Sequence, residues 1–452
     1  MVRYVLILLI LCVSIIRYNR NVNKKRNSSY LLLSTFIQLI PLSGIIYKIG
    51  SLKVPFGNLS GATDTFFAID TLWIIGIMIL FFHPQIINSS LRKNVIRNNT
   101  YLYVLTVIEI ISVINPFNAL HYSGLPTFFR IIQIYLFLKI ISKYLSYQSV
   151  LQGLYDGFKF AIGLQFLLTI LFPVLHITLI SELFRPEVSE WAFRRDVSSA
   201  LGTFMHPGAL ALFSSMCATF FLSCYLNNYE KKDSIKGIFM CLFIVYFTYS
   251  RTSYLAIIGT LFLVYFIYYN RKRIRIKSII YVCLGLTAIT SVFLLSPIAD
   301  MFFKSDVDVQ VENRELHYLL ALGCFTDSPL IGVGLNNHVN YLYNYLNTNY
   351  IGRNVGEFFV TNPVHNSHLI ILAETGIIGF ILWVYYFLSR IFMGIKFCIG
   401  SDVSINIINL AFAGILIVYL VYGMTGWACF HRELYPIPII IGFFSYLKKY
   451  KI

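Results

Sequence analysis

Charge is what this chain has least of. Only 12% of its 452 residues are Asp, Glu, Lys or Arg, and the 20 acids are outnumbered by 36 basic residues. A soluble domain carries about a quarter charged residues, so an ordinary water-facing globular surface is excluded. Cysteine is sparse and scattered: eight residues, mostly inside apolar runs, with no CxxC and no metal-ligand spacing. They read as small core residues, not as disulfides or a zinc site. No small-residue cleavage site follows the apolar first 16 residues, so a retained first helix is expected there. Internal repeats and low-complexity stretches are also missing, and 1–452 reads as a single membrane domain.

What the chain has is apolar length. Hydrophobic residues make up 57% of it, and runs of about 17–25 residues recur, each enough to cross a hydrocarbon core of about 30 Å. The runs are continuous, not alternating, which points to helices and away from a barrel. Segments are expected near 2–16, 30–49, 66–82, 100–114, 126–142, 157–176, 206–226, 236–249, 253–269, 278–298, 367–389, 405–424 and 436–447. The expected fold is an all-α, polytopic transmembrane helix bundle of 12–14 helices with a large, partly helical outer loop over 299–366. Within that loop, 313–322 and 341–346 are the stretches expected to be helical.

A net charge of +16 raises the question of nucleic acid, and its distribution answers no. Basic loops nearly free of acid lie at 17–29, 83–99, 270–277 and the tail, the pattern of cytoplasmic loops. Counting across the segments puts 177–205, 250–252, 299–366 and 426–435 on the opposite side, where most acids lie. A multi-pass membrane protein, with its basic loops in the cytoplasm and its polar machinery facing outward, is the expectation.

Four outer junctions carry residues suited to chemistry. Arg194 and Arg195 precede ALGTFMHP (200–207), where Gly202 and Pro207 mark a shaped lead-in to a helix. The two guanidiniums can clamp an anionic headgroup or pair with Glu187, Glu190 and Asp196. Arg251 sits in a Ser-Arg-Thr-Ser turn between apolar segments, where a charge either faces a cavity or snorkels to the interface. Arg314, beside Glu312 and Glu315, precedes a Gly-Val-Gly-Leu-Asn-Asn stretch whose glycines suit a tight turn. His365 opens the polar head of PVHNSHLIILAETGIIGF (363–380), and as a neutral imidazole it can take a proton from a hydroxyl. His368, three residues on, shares a helical face with it if the helix begins early. No third or fourth ligand accompanies these two, so no metal is expected. Glu374 reads as polar glue between helices. Tyr345, with Tyr341 and Tyr343, makes the 341–346 stretch Tyr-rich and amphipathic, suited to the membrane surface. Asp306-Val307-Asp308 reads as a loop of solvated acids.

In order, RRDVSSALGTFMHP (194–207), YSRTSYLAI (249–257), NRELHYLLALGCFTDSPLIGVGLNN (313–337) and VHNSHLIILAETGIIGF (364–380) resemble the O-antigen polymerase and O-antigen ligase superfamily of bacterial envelope proteins. The resemblance covers about 194–380, and Met205-His206-Pro207 departs from that family's usual Asn-Pro-Asn neighbourhood. It implies an inverting, metal-independent glycosyltransferase with no cofactor, acting on a glycan carried by undecaprenyl pyrophosphate. By that resemblance, Arg195, Arg251 and Arg314 contact the pyrophosphate and His365 acts at the acceptor hydroxyl. The expected partners are the lipid-linked glycan, membrane lipid and a chain-length regulator protein. Polymerisation of repeat units is the leading reading. Ligation of finished glycan to a lipid A core or a protein is the alternative, and a lipid-linked glycan flippase is the rival without chemistry.

Overall fold

Apolar runs without alternation can satisfy their backbone in a membrane only by coiling, and coiling is what they do here. The computed structural model describes residues 2–23, 30–42, 48–49, 67–68, 99–117, 122–143, 145–175, 199–204, 206–270, 306–346, 363–400, 402–424, 426 and 434–445. The first helices are α1 (Val2–Asn23) and α2 (Tyr30–Leu39). The helical run expected over 30–49 stops early, because α2 tightens into a 3-10 turn, Ile40–Leu42, around Pro41. Lys48–Ile49 and Phe67–Ala68 then form a two-residue antiparallel pair, the only strands among the described residues. Next come α3 (Thr100–Ile114), α4 (Leu125–Ile141) and α5 (Tyr147–Thr169), which runs on through a π turn at Ile170–Val174. The bundle continues with α6 (Pro207–Leu226), α7 (Lys231–Phe247) and α8 (Arg251–Asn270). It closes with α9 (Asp306–Asp327), α10 (His338–Leu346), α11 (Ser367–Phe397), α12 (Val403–Gly423) and α13 (Pro436–Phe444).

Five helices among the described residues are long and apolar enough to cross a membrane: Tyr147–Val174, Pro207–Leu226, Ser253–Asn270, Ser367–Phe397 and Val403–Gly423. The segment expected at 278–298 lies outside the described residues, as does 66–82 apart from its strand. Arg17 and Arg20, expected in a loop, fall inside α1, where Arg17 lies 3.9 Å from Asp156. Asp306 and Asp308 lie in the first turn of α9, not in a loop.

The centre of the bundle is α6. Nearly all its side chains are buried, and α5, α7, α8 and α12 pack around it. A helix apolar on every side belongs in such a core. Gly414 of α12 faces Val264 and Thr219 so closely that a Cβ would lie 2.7 Å from Val264, the close approach that small residues give membrane helices. Helices at the periphery turn large apolar side chains outward, such as Ile381, Tyr385 and Phe392 of α11, as a lipid-facing surface requires. The lead-in to α6 is built as its glycine and proline suggest. Gly202 takes φ +53°, Thr203 exchanges two hydrogen bonds with Gln165, and His206 caps Pro207–Leu226 by accepting from the Gly208 N–H at 3.0 Å.

One helix is broken. At Gly376, α11 adopts φ 62° and ψ −168°, and the chain resumes its coil afterwards. The break frees carbonyls before it and N–H groups after it, each costing several kcal/mol if left unpaired in hydrocarbon. The segment between α9 and α10 meets all four needs. Val333 and Gly334 donate to the carbonyls of Ala373 and Glu374, both at 2.9 Å, while Ile377 and Ile378 donate to those of Pro329 (2.9 Å) and Leu330 (3.3 Å). Backbones so close leave no room for side chains: a Cβ on Gly332 would lie 2.3 Å from Glu374 C, and one on Gly376 2.4 Å from Leu330 C. Both glycines also hold positive φ. Gly332→Ala and Gly376→Ala are each expected to cost more than about 2 kcal/mol, from left-handed strain plus the clash. Gly163→Ala, on α5 with nothing within 4 Å of its Cβ position, should be neutral or stabilise by about 0.5–1 kcal/mol. Thermal unfolding in detergent compares the three.

Candidate functional site

The polar residues gather where α9, α10 and the start of α11 meet the 328–337 segment. That segment is held in place by α3 and the turn after it. The Asn115 side chain donates to Gly332 O at 2.7 Å, Ser112 Oγ accepts from Leu335 N at 2.8 Å, and Ser123 Oγ donates to Leu335 O. Asn337 closes the turn on itself by donating to Val333 O at 2.7 Å. Beneath these bonds lies a small apolar cluster of Leu320, Ala321, Cys324, Val333, Leu342, Val364, Ile370 and Ala373. It fastens α9 to α11 independently of the main core.

His365 stands at the rim of this unit, half-buried, between the buried Val364 and the cap residue of α11. Its ring lies parallel to that of His317 on α9, with centroids 5.6 Å apart and an interplanar angle of 3°. His317 itself is only 2% exposed. Burial, with His365 and His338 adding to it, pushes its imidazole down from an ordinary 6.5 to about 4. Deeper in, His338 Nδ1 on α10 meets Glu374 Oε1 on α11, both side chains nearly inaccessible. His338 Nε2 is buried and has no hydrogen-bond partner among the described residues. Glu109 on α3, also buried, lies within electrostatic reach of Glu374. Glu374 thus ties two elements together, which is the role of polar glue between helices.

The other expected site residues fall out as follows. Arg314 lies on α9 three residues before His317, within one helical turn of the stacked pair. Arg251 is the first residue of α8, immediately after a tight hairpin in which Tyr249 takes φ 51° and Ser250 Oγ meets Ser253 Oγ at 2.8 Å. The same hairpin touches the lead-in to α6, since Ala200 N donates to Phe247 O at 2.7 Å. The side chains of Arg251, Arg314 and Tyr345 lie outside the described residues, although all three sit on helices. Arg194 and Arg195 lie outside them altogether. His368 does not share a helical face with His365. Asn366 caps α11 by accepting from the N–H groups of His368 (3.0 Å) and Leu369 (3.1 Å), so the helix begins after His365. The His368 ring turns instead to Leu420 O of α12, with Nε2 at 2.9 Å, and stands edge-on to Trp383. Among the described residues, no three His, Cys, Asp or Glu side chains are grouped so as to hold a metal ion.

Buried polar residues that escaped the reading of the junctions include His317, His338, Glu109 and Arg130. Arg130, on α4, is 3% exposed with its guanidinium 5.7 Å from the Tyr435 ring centroid. A lone charge inside an apolar run was the available signal for Arg130 and Glu109. His317 and His338 carried none, because only the fold brings them to His365 and Glu374.

These elements define a multi-pass helical membrane protein with a histidine-bearing polar site at one end of a broken helix. Residues 237–384 match the Wzy_C family model, described as O-antigen ligase. The match covers about a third of the chain, and over that stretch the chain is similar to the O-antigen ligase family. The matched residues run from α7 into α11 and contain Arg251, Arg314, His317, His338, His365 and Glu374; Arg194 and Arg195 lie before them. A search of curated proteins returned no match.

Two outcomes follow. Replacing either His338 or Glu374 alone by Leu should cost about 3–5 kcal/mol, because the partner is left buried and unpaired; replacing both should restore much of that loss. A double-mutant cycle of melting temperatures in detergent measures it. The depressed His317 has the opposite sign to a stabilised cation. The folded state binds fewer protons than the unfolded one, so its contribution is complete above about pH 6.5 and is lost as pH falls towards about 4. Between those limits the wild type should lose more melting temperature than His317→Phe.

Proposed function

We propose that this protein is a membrane glycosyltransferase that polymerises lipid-linked oligosaccharide repeat units. The observation that carries the reading is His365, held between a helix cap and a stacked ring at the rim of the polar site inside the matched stretch. In this reading the donor is a glycan on undecaprenyl pyrophosphate. An acceptor sugar hydroxyl attacks the anomeric carbon with inversion, and the lipid pyrophosphate leaves with the electron pair. His365 takes the hydroxyl proton as the new C–O bond forms. Arg251 and Arg314, with Arg194 and Arg195 before the matched stretch, are the groups proposed to stabilise charge on the departing pyrophosphate. The placement of Arg314 one turn from His317 supports this. Tyr345 on α10 is proposed to face a sugar ring. His368 is given no substrate contact in this reading, since its Nε2 already bonds Leu420 O.

The setting proposed for this chemistry is the outer face of a bacterial cytoplasmic membrane, without metal or cofactor, alongside a chain-length regulator. The similarity to an O-antigen ligase family favours a second reading, ligation of finished glycan to another acceptor. Both share donor and chemistry. Arg251→Ala and His365→Ala should abolish surface polymer beyond one repeat in cells, and normal chain length in both would overturn the site. Purified protein given lipid-linked repeats in detergent should elongate them; transfer only to a different acceptor would establish ligation. Absence of any transfer would favour transport.

A further inference from the structure

We infer that His317 is a positioning residue for His365: its buried ring is the wall that fixes the tilt at which the His365 imidazole meets the acceptor hydroxyl. This rests on the proposed role of His365 as base. A base on a loop is useful only if its ring is held, and the backbone holds only part of it. Asn366 and Ser367 are fixed, the first as the cap of α11 and the second by Ser367 N and Oγ donating to Gly426 O at 3.1 and 2.7 Å. Val364 is buried on the other side. Those anchors set the Cα of His365, while its side-chain torsions need a contact of their own. The parallel stack on His317, at 5.6 Å and 3°, supplies such a contact.

His317 suits the task because it is buried at a packed contact between helices. It projects from α9 in the same helix face region as Leu320, Ala321 and Cys324, which are packed against Val364, Ile370 and Ala373. The groups facing it are His365 ahead of α11 and His338 of α10, with Glu374 of α11 bonded to His338. Burial keeps His317 uncharged at neutral pH, so when His365 takes up the hydroxyl proton the imidazolium lies over a neutral ring, not against a second cation. The proton passes from the acceptor hydroxyl to His365; His317 takes none. A charged residue at 317 would oppose the same step.

The test compares His317→Phe, which keeps a flat ring, with His317→Leu, which fills the space without one. Elongation of lipid-linked repeats by purified protein should fall by about 10- to 100-fold in kcat for His317→Leu, the scale of a misplaced catalytic group, with KM for the donor little changed. His317→Phe should retain most of the rate. A second readout needs no turnover: carbethoxylation of His365 by diethylpyrocarbonate, followed by mass spectrometry from pH 5 to 8. His365 should react faster in His317→Leu than in the wild type, and at the wild-type rate in His317→Phe. Equal kcat and equal His365 reactivity in Leu and Phe variants would overturn the inference. If His365→Ala elongates normally, the base assignment fails, and the carbethoxylation comparison still decides whether His317 orients that ring.

Discussion

The structure of the site depends on four backbone hydrogen bonds between the 329–334 segment and the break in α11. A helix interrupted within an apolar bundle exposes carbonyls and N–H groups that hydrocarbon cannot satisfy. Here the segment following α9 supplies both kinds of partner at once. The exchange is reciprocal, so neither the turn nor the break can exist without the other. That mutual dependence explains why glycine stands at both Gly332 and Gly376, where any Cβ would enter the opposing backbone.

From this joint the polar site follows. Pinning the 328–337 segment against α11 places the start of α10 over Glu374, and His338 meets that carboxylate. The same joint lays α9 along the first turns of α11, so that His317 reaches His365. Asn115, Ser112 and Ser123 secure the segment from α3 and its turn, which makes the site a product of chain regions more than two hundred residues apart. Polar side chains that would be costly in isolation are paired in this one place.

Much of this was legible from the residues, and for identifiable reasons. Helices at 100–114, 206–226 and 367–389 showed because each is a long apolar run, and the glycines at 332 and 334 announced a turn. Pro207 and Gly202 marked the lead-in to α6 correctly. Other readings failed on local competition. His365 and His368 looked like neighbours on one face until the Asn366 side chain proved to start the helix between them. The DxD string looked like a loop, yet α9 begins there.

Composition alone determined that this chain lives in a membrane as helices, because no other backbone arrangement satisfies runs so apolar. The order of its motifs carried a resemblance to the O-antigen polymerase and ligase superfamily, and the family match falls on the stretch 237–384, which holds most of them. What only the tertiary structure decided is which polar groups meet. Periodicity reports the face a residue occupies on its own helix, whereas the pairing of His317 with His365 and of His338 with Glu374 depends on a break at Gly376 that one distant segment must fill.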